Sequence, residues 1–297
     1  MCGFERLKEV AGGSLEPIYN VYQVIYDPEI LKASYYKLKS NPASMVVGTD
    51  QKDLNSLGIN DEYFSILSNK IKTEQYKPAP VKVILIPKQD GKMRRLGIPS
   101  IEDRIVQRSL LFLLEAVFEK TFSEKSHGFR PKKGAHTVCK NIRQWKGVSW
   151  FIEGDIVDFF DTINHQKLMH LISLRIKDQR VLDLLWKILR TKVLVDGKLQ
   201  KTGKGVPQGS VISPLLSNIY LHELDVFVGA LKEEFDTKET TKLNPEYIKA
   251  KSLLRSKKGV DKKRGYQELR KIKSSIRVGM KLYYVRYADD WLVGIWG

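Results

Sequence analysis

Residues 281–297 read Lys-Leu-Tyr-Tyr-Val-Arg-Tyr-Ala-Asp-Asp-Trp-Leu-Val-Gly-Ile-Trp-Gly, and two adjacent acids within them organise the reading of the chain. Two short runs rich in aromatic and branched residues, 282–287 and 291–296, flank Ala288, Asp289 and Asp290. That is the pattern of a hairpin with acids at its tip. Ladder-bonded arms hold side chains rigidly, and hard oxygen ligands with net negative charge are what Mg²⁺ requires. An isolated Asp-Asp pair more often fills a solvated turn, where Asp is favoured. Two adjacent acids do not make a two-metal site by themselves, so a third carboxylate is expected from a neighbouring strand.

Residues 149–156, Ser-Trp-Phe-Ile-Glu-Gly-Asp-Ile, supply it. They read as a strand of buried type ending in Asp155. A carboxylate at the end of an apolar run is costly unless solvated or coordinated, which favours a metal role over packing. Asp158 and Asp161 follow within one turn and suit helix caps. Phe159 and Phe160 stand beside the acids, either as an ordinary core pair or as the floor of a nucleotide pocket.

Upstream, 81–87 and 93–98 read as two strands joined by a tight turn at Asp90-Gly91. Lys88, Lys92, Arg94 and Arg95 therefore crowd onto one hairpin. Arginine offers phosphate a planar fork and lysine a compact charge, so the cluster suits a polyphosphate. A charged edge that discourages strand pairing is the alternative. Asp27-Pro28 opens one amphipathic helix, Asp61 a second, and Ser100 caps a long apolar helix over 106–122. His127, in the loop Ser-His-Gly-Phe-Arg-Pro at 126–131, is read either as a hydrogen-bonded loop residue or as a functional one. Helices are expected over 165–175 and 178–190, and a small hairpin over 194–199. Residues 203–210, Gly-Lys-Gly-Val-Pro-Gln-Gly-Ser, form a glycine-rich loop. They do not match the spacing of a phosphate-binding P-loop. Gln208, flanked by Pro207 and Gly209, is instead placed to touch a ligand, and Ser213-Pro214 opens an apolar helix through Leu224.

The chain has 297 residues, 42% of them hydrophobic, and a formal charge of +17. It can bury a large core in more than one lobe. Its charge calls for a polyanionic partner such as nucleic acid. Cys2 and Cys139 are the only cysteines, which excludes a disulfide framework or a cysteine-based zinc site. No 18-residue apolar stretch is present, so no membrane role is expected. Between 249 and 281, thirteen Lys or Arg face two acids, Asp261 and Glu268, so this segment holds +11 of the total charge. It interrupts the path from the Ser213 helix to the acidic hairpin. It therefore reads as an insertion, with Lys257, Lys258, Lys262, Lys263 and Arg264 as candidate nucleic-acid contacts.

Taken in order, a set of short motifs resembles a reverse transcriptase, and closely the reverse transcriptase and maturase type encoded by group II introns of the mitochondrial-like lineage. The carrying residues are Ile86-Pro87-Lys88, Arg94-Arg95-Leu96-Gly97-Ile98-Pro99, the 126–131 loop, Glu153-Gly154-Asp155-Ile156, Gly205-Val206-Pro207-Gln208-Gly209, Ser213-Pro214-Leu215-Leu216 and Tyr287-Ala288-Asp289-Asp290. They span about 78–296. Tyr-Ala-Asp-Asp alone is weak; the ordered set is specific. The resemblance implies that Asp155, Asp289 and Asp290 are the catalytic carboxylates, holding two Mg²⁺ ions with the Ile156 carbonyl as a further ligand. It implies that Lys88 and Arg94 hold the triphosphate, that Phe160 abuts the sugar and rejects a 2′-hydroxyl, and that Gln208 lines the nucleotide pocket. Ser210 departs from the pattern, standing where a second glycine is common.

The fold so implied is α/β (α+β), the fingers and palm of a right-hand polymerase, with an antiparallel palm sheet backed by helices. Its expected divisions are an N-terminal extension and fingers (1–147), palm (148–191), a fingers hairpin and loop (192–206), and palm again (207–297) with the basic insertion at about 229–281. The sequence stops seven residues after Asp290. The helical thumb is therefore expected to be absent from it, and polymerisation by this stretch alone to be poorly processive. The implied function is RNA-directed DNA polymerisation in intron mobility, on an intron RNA template with a DNA primer and deoxynucleoside triphosphates, together with intron RNA binding in splicing. An intron-RNA-binding splicing factor whose polymerase activity is secondary or lost is the alternative. A homodimer is compatible with the sequence, as are a bacterial cytoplasm and an organellar matrix.

Overall fold

The computed structural model describes residues 2–13, 15–41, 46–52, 58–87, 91, 93–238, 240–255 and 260–297. Its N-terminal third is helical: α1 (Gly3–Gly12), α2 (Tyr22–Tyr26), α3 (Pro28–Lys39) and α4 (Asp61–Lys72). The cap anticipated at Asp27 is formed. Asp27 accepts from the Glu29 and Ile30 amides at the start of α3, where Pro28 leaves no orphan donor. Between α3 and α4, residues 42–45 and 53–57 lie outside the described residues.

β1 (Val81–Pro87) and β2 (Met93–Ile98) pair antiparallel from Lys82 opposite Ile98 to Pro87 opposite Met93. Lys88, Asp90 and Lys92, between them, lie outside the described residues. Ser100 then caps α5 (Ile101–Phe118), accepting from the Asp103 amide and donating its hydroxyl to the Asp103 carboxylate. The cap starts this helix a turn and a half earlier than the apolar run alone suggests, and the helix is the axis of the main core. Apolar side chains of α2, α3, α4 and α5 meet those of the later helices there. Each fully buried Leu or Ile contributes about 2 kcal/mol.

After α6 (Ala135–Ile142) come β3 (Trp150–Gly154), the short α7 (Phe159–Thr162), α8 (His165–Arg175) and α9 (Gln179–Leu189). β4 (Val193–Val195) and β5 (Lys198–Gln200) form the expected small hairpin, and β4 joins β1 in parallel. The resulting sheet has the order β2-β1-β4-β5. α10 (Ser213–Phe235) continues well past Leu224. Its first half belongs to the main core. Its second half turns Val228 onto Leu282, Tyr284 and Val293 in a separate small core.

The basic segment folds as β6 (Thr240–Leu243), α11 (Pro245–Arg255), α12 (Val260–Lys271) and β7 (Ser275–Val278), a helical hairpin on a two-stranded stem. Gly265 lets the two helices meet closely, because a Cβ there would lie 2.0 Å from Leu254 Cδ2. The stem returns where it left: the Thr237 amide donates to the Met280 carbonyl at 3.0 Å, and the Leu282 amide donates to Asp236 at 2.7 Å. The chain then forms β8 (Lys281–Tyr287) and β9 (Asp290–Trp296), which pair with β3 in the order β3-β9-β8.

One expectation is overturned here. β3 is not buried: Trp150, Phe151 and Ile152 are 71%, 59% and 48% exposed. Both β3 and β8 are edge strands, but α10 underlies β8 on the far side of β9, whereas the apolar residues of β3 have no helix packed beneath them among the described residues. An apolar run shows strand propensity but not which face is covered.

Candidate functional site

The acidic hairpin forms as the sequence indicates. Tyr287 opposes Asp290, so Ala288 and Asp289 make a two-residue turn, with Ala288 at φ +55°. β3 runs antiparallel to β9 with Gly154 opposite Trp291. Asp155, the next residue, therefore reaches the same end of the sheet as Asp289 and Asp290. Asp155 and Asp290 are exposed and Asp289 is half-buried.

The two hairpin acids feel Asp155. Partial burial raises the Asp289 pKa, and Asp155 raises it further, while Arg94 and Arg286 oppose the shift. Burial also raises Asp290, with Asp289 and Asp155 adding to it. Carboxylates crowded this way favour a shared cation. Among the described residues, no three ligating side chains gather closely enough to hold a metal on their own. Mg²⁺ is ordinarily held by one or two carboxylates together with substrate phosphates. The all-oxygen donor set fits a divalent ion whose remaining ligands come from a nucleotide.

Around the acids, Arg94 on β2 lies near enough to Asp289 to favour its ionised form. Lys88 lies outside the described residues. Asp158 adopts φ +47° and bends the chain from β3 into α7, making no side-chain capping bond, so the capping role read from sequence is not realised there. The bend buries Phe159 in the core and leaves Phe160 half-buried, edge-on to Phe129 at 6.4 Å. Ile156 packs against the main core.

Gln208 sits on a loop fixed from both sides. Its carbonyl accepts from the Gly97 amide at 2.5 Å, and the Val206 amide donates to the Phe160 carbonyl at 2.7 Å. Gly209, at φ +101°, is needed for this approach, since a Cβ would lie 2.5 Å from the Gly97 carbonyl oxygen. Gln208 lines a cavity of about 370 Å³ with Arg95, Asp161 and Lys204, and Arg94 is not among the lining residues. Alternation along β2 explains the split, because neighbouring residues of a strand face opposite ways.

His127 is a loop residue whose ring meets the Thr137 hydroxyl at 2.7 Å and whose amide donates to the Arg286 carbonyl. Sequence reading passed over Arg286, Asp225, Asn218 and Phe129. Arg286 is fully buried directly beneath the acidic turn. A cation within an apolar alternating strand was the available signal.

The family model for reverse transcriptase (RNA-dependent DNA polymerase) matches residues 86–241. The chain is 36% identical, over its full length, to the group II intron-encoded protein LtrA of Lactococcus lactis subsp. cremoris, covering 52% of that protein. It is 38% identical to an uncharacterized 91 kDa protein in the cob intron of Schizosaccharomyces pombe, with 94% of the chain and 36% of the relative aligned. It is 35% identical to a putative COX1/OXI3 intron 2 protein of Saccharomyces cerevisiae, with 93% and 33% aligned. The chain thus spans a third to a half of the length of these relatives. No helix among the described residues is long and apolar enough to cross a membrane. The ordered motifs, the acids gathered at one end of an antiparallel sheet and the family match agree: the chain belongs to the reverse transcriptase (RNA-dependent DNA polymerase) family.

Proposed function

We propose that this chain carries the nucleotidyl-transfer site of a group II intron-encoded RNA-directed DNA polymerase, which copies an RNA template from a DNA primer using deoxynucleoside triphosphates. The observation that carries the reading is the gathering of Asp155, Asp289 and Asp290 at one end of the β3-β9-β8 sheet. In this reading the three-stranded sheet belongs to the palm and the β2-β1-β4-β5 sheet to the fingers. Mg²⁺, held by the three carboxylates and the Ile156 carbonyl, would supply Lewis-acid activation of the primer 3′-hydroxyl and neutralise charge on the departing pyrophosphate. Arg94 and Lys88 bind and orient the triphosphate, Lys88 entering on its sequence position alone. Gln208 is assigned to the nucleotide pocket by its motif alone, since its cavity lies on the Arg95 side of β2, and no protein nucleophile is needed. Primer extension on an RNA template by the intact protein tests this, and Mg²⁺-dependent DNA synthesis is expected. No synthesis at any divalent-ion concentration, by protein that still binds RNA, would leave only the splicing role.

Phe160 sets sugar selectivity in this reading. Its ring is held between buried Phe159 and half-exposed Phe129, so it resists being pushed aside. Phe160→Ala is expected to raise ribonucleotide use relative to deoxyribonucleotide use by at least about tenfold, equivalent to about 1.4 kcal/mol. Competitive single-nucleotide incorporation measures it; unchanged discrimination would move the role to another group.

A second role, binding intron RNA to assist splicing, is favoured by the +11 charge of residues 249–281, most of which lie in the inserted helical hairpin. Both roles use the same polyanion and do not compete for residues.

A further inference from the structure

Arg286 lies two residues before Ala288 on β8, and its side chain and that of Asp225 are both 0% exposed. All five guanidinium N–H groups are engaged. Nε donates to Asp225 Oδ1 at 2.8 Å and Nη2 to Asp225 Oδ2 at 2.7 Å. Nη2 also donates to Ser126 Oγ at 2.8 Å, and Nη1 to Asn218 Oδ1 at 3.1 Å. The fifth bond runs from Nη1 to the Ala288 carbonyl oxygen at 2.7 Å. That carbonyl belongs to the peptide joining Ala288 to Asp289.

The turn needs such a hold. Ala288 is a non-glycine residue in the left-handed region, a conformation that persists only where its surroundings impose it. Its other side is fixed by Gly128, where a Cβ would lie 2.2 Å from the Ala288 nitrogen. The Gly128 carbonyl accepts from Asn218 Nδ2 at 2.8 Å, so Asn218 secures both flanks of the turn. Asp225 is itself oriented by Tyr284, whose hydroxyl donates to Oδ1 at 2.8 Å. The Arg286 main chain is bonded to the 125–127 segment at both its amide and its carbonyl.

We propose that Arg286 is a positioning residue, clamped by Asp225 and Asn218, that fixes the Ala288–Asp289 peptide and so aims the Asp289 carboxylate into the site. The proposal rests on the reading of Asp289 as a metal-holding acid. A buried ion pair can also serve stability alone, and a matched apolar pair then replaces it without loss. That difference makes the test.

In the intact protein, the double variant Arg286→Met with Asp225→Leu, Arg286→Lys alone and Asp289→Ala are compared. Thermal unfolding, Mn²⁺ binding by electron paramagnetic resonance, and single-turnover extension are measured. The double variant is expected to unfold within a few degrees of the parent, yet to bind Mn²⁺ at least about tenfold more weakly. Its maximal rate should fall about a hundredfold while the nucleotide KM stays within about threefold. Mn²⁺ affinity and rate within twofold of the parent, in the folded double variant, overturn the proposal. Should that variant not fold, Arg286→Lys decides, because an ammonium keeps the charge beside Asp225 but lacks the fork that reaches Ala288 as well. Parental rate and Mn²⁺ affinity in Arg286→Lys overturn the proposal; a matching loss in both supports it. Asp289→Ala separates the two readings: if it extends primers at the parental rate, the metal assignment itself fails whatever Arg286 does.

Discussion

Asp289→Ala, and separately Asp155→Ala, is expected to lower templated DNA synthesis by at least about a thousandfold, equivalent to about 4 kcal/mol, while RNA affinity changes by less than about twofold. The two halves of this expectation come from different parts of the molecule. Asp155 raises the pKa of both hairpin acids and Asp289 raises that of Asp290, so removing either Asp155 or Asp289 also relieves repulsion. The fold should therefore tolerate the change, and the lost rate should reflect lost metal-holding oxygen rather than unfolding. The cationic surface, including the insertion, keeps every charge. Single-turnover primer extension and a filter-binding isotherm on the same preparations measure both quantities. Extension by either variant at the parental rate would falsify the catalytic assignment. A parallel fall in RNA affinity would point instead to a misfolded variant.

Much of this site was legible in sequence because its signals are local. Alternation and a two-residue acidic turn fix β8 and β9, and cap residues such as Asp27 and Ser100 fix helix starts. The joining of Asp155 to the hairpin followed from needing a third acid, and the β3-β9 register brings it there. Two things were not legible. The exposure of β3 depends on which strand lies at the edge, and that is a property of the whole sheet. The Arg286–Asp225 pair joins residues 61 apart, and nothing local to either names the other. A pattern argument was nevertheless within reach. Leu282, Tyr284 and Arg286 share one face of β8, and Asp225 is set in the mostly apolar α10, so two charges on buried faces required a partner each. Phe129 was invisible for another reason. Its place beside Phe160 comes from a left-handed backbone at φ +57° in the 126–131 loop, which spacing does not reveal.

The inserted hairpin gives the other large expected effect, on salt dependence rather than rate. Replacing Lys257, Lys258, Lys262, Lys263 and Arg264 with Gln is expected to flatten the log–log salt dependence of RNA binding by about three units. For single-stranded nucleic acid each neutralised phosphate contributes a slope of about −0.7, so five contacts account for about 3.5. Lys262 is exposed on α12; Lys257 and Lys258 lie outside the described residues, as do the side chains of Lys263 and Arg264. The attachment of the hairpin supports a docking arm over a loose tail. Lys232 donates to the Leu282 carbonyl at 2.7 Å and Asp236 receives the Leu282 amide, so the end of α10 and the start of β8, between which the arm emerges, are tied together. Shape-selective recognition of folded RNA through other surfaces should persist in the five-fold variant, because such RNA is read by shape and unstacked bases as well as by charge. Equilibrium binding across a tenfold range of salt measures the slope. A slope unchanged from the parent would make the hairpin a solvated arm or a protein-contact surface, and the charge that distinguishes it would then need another partner.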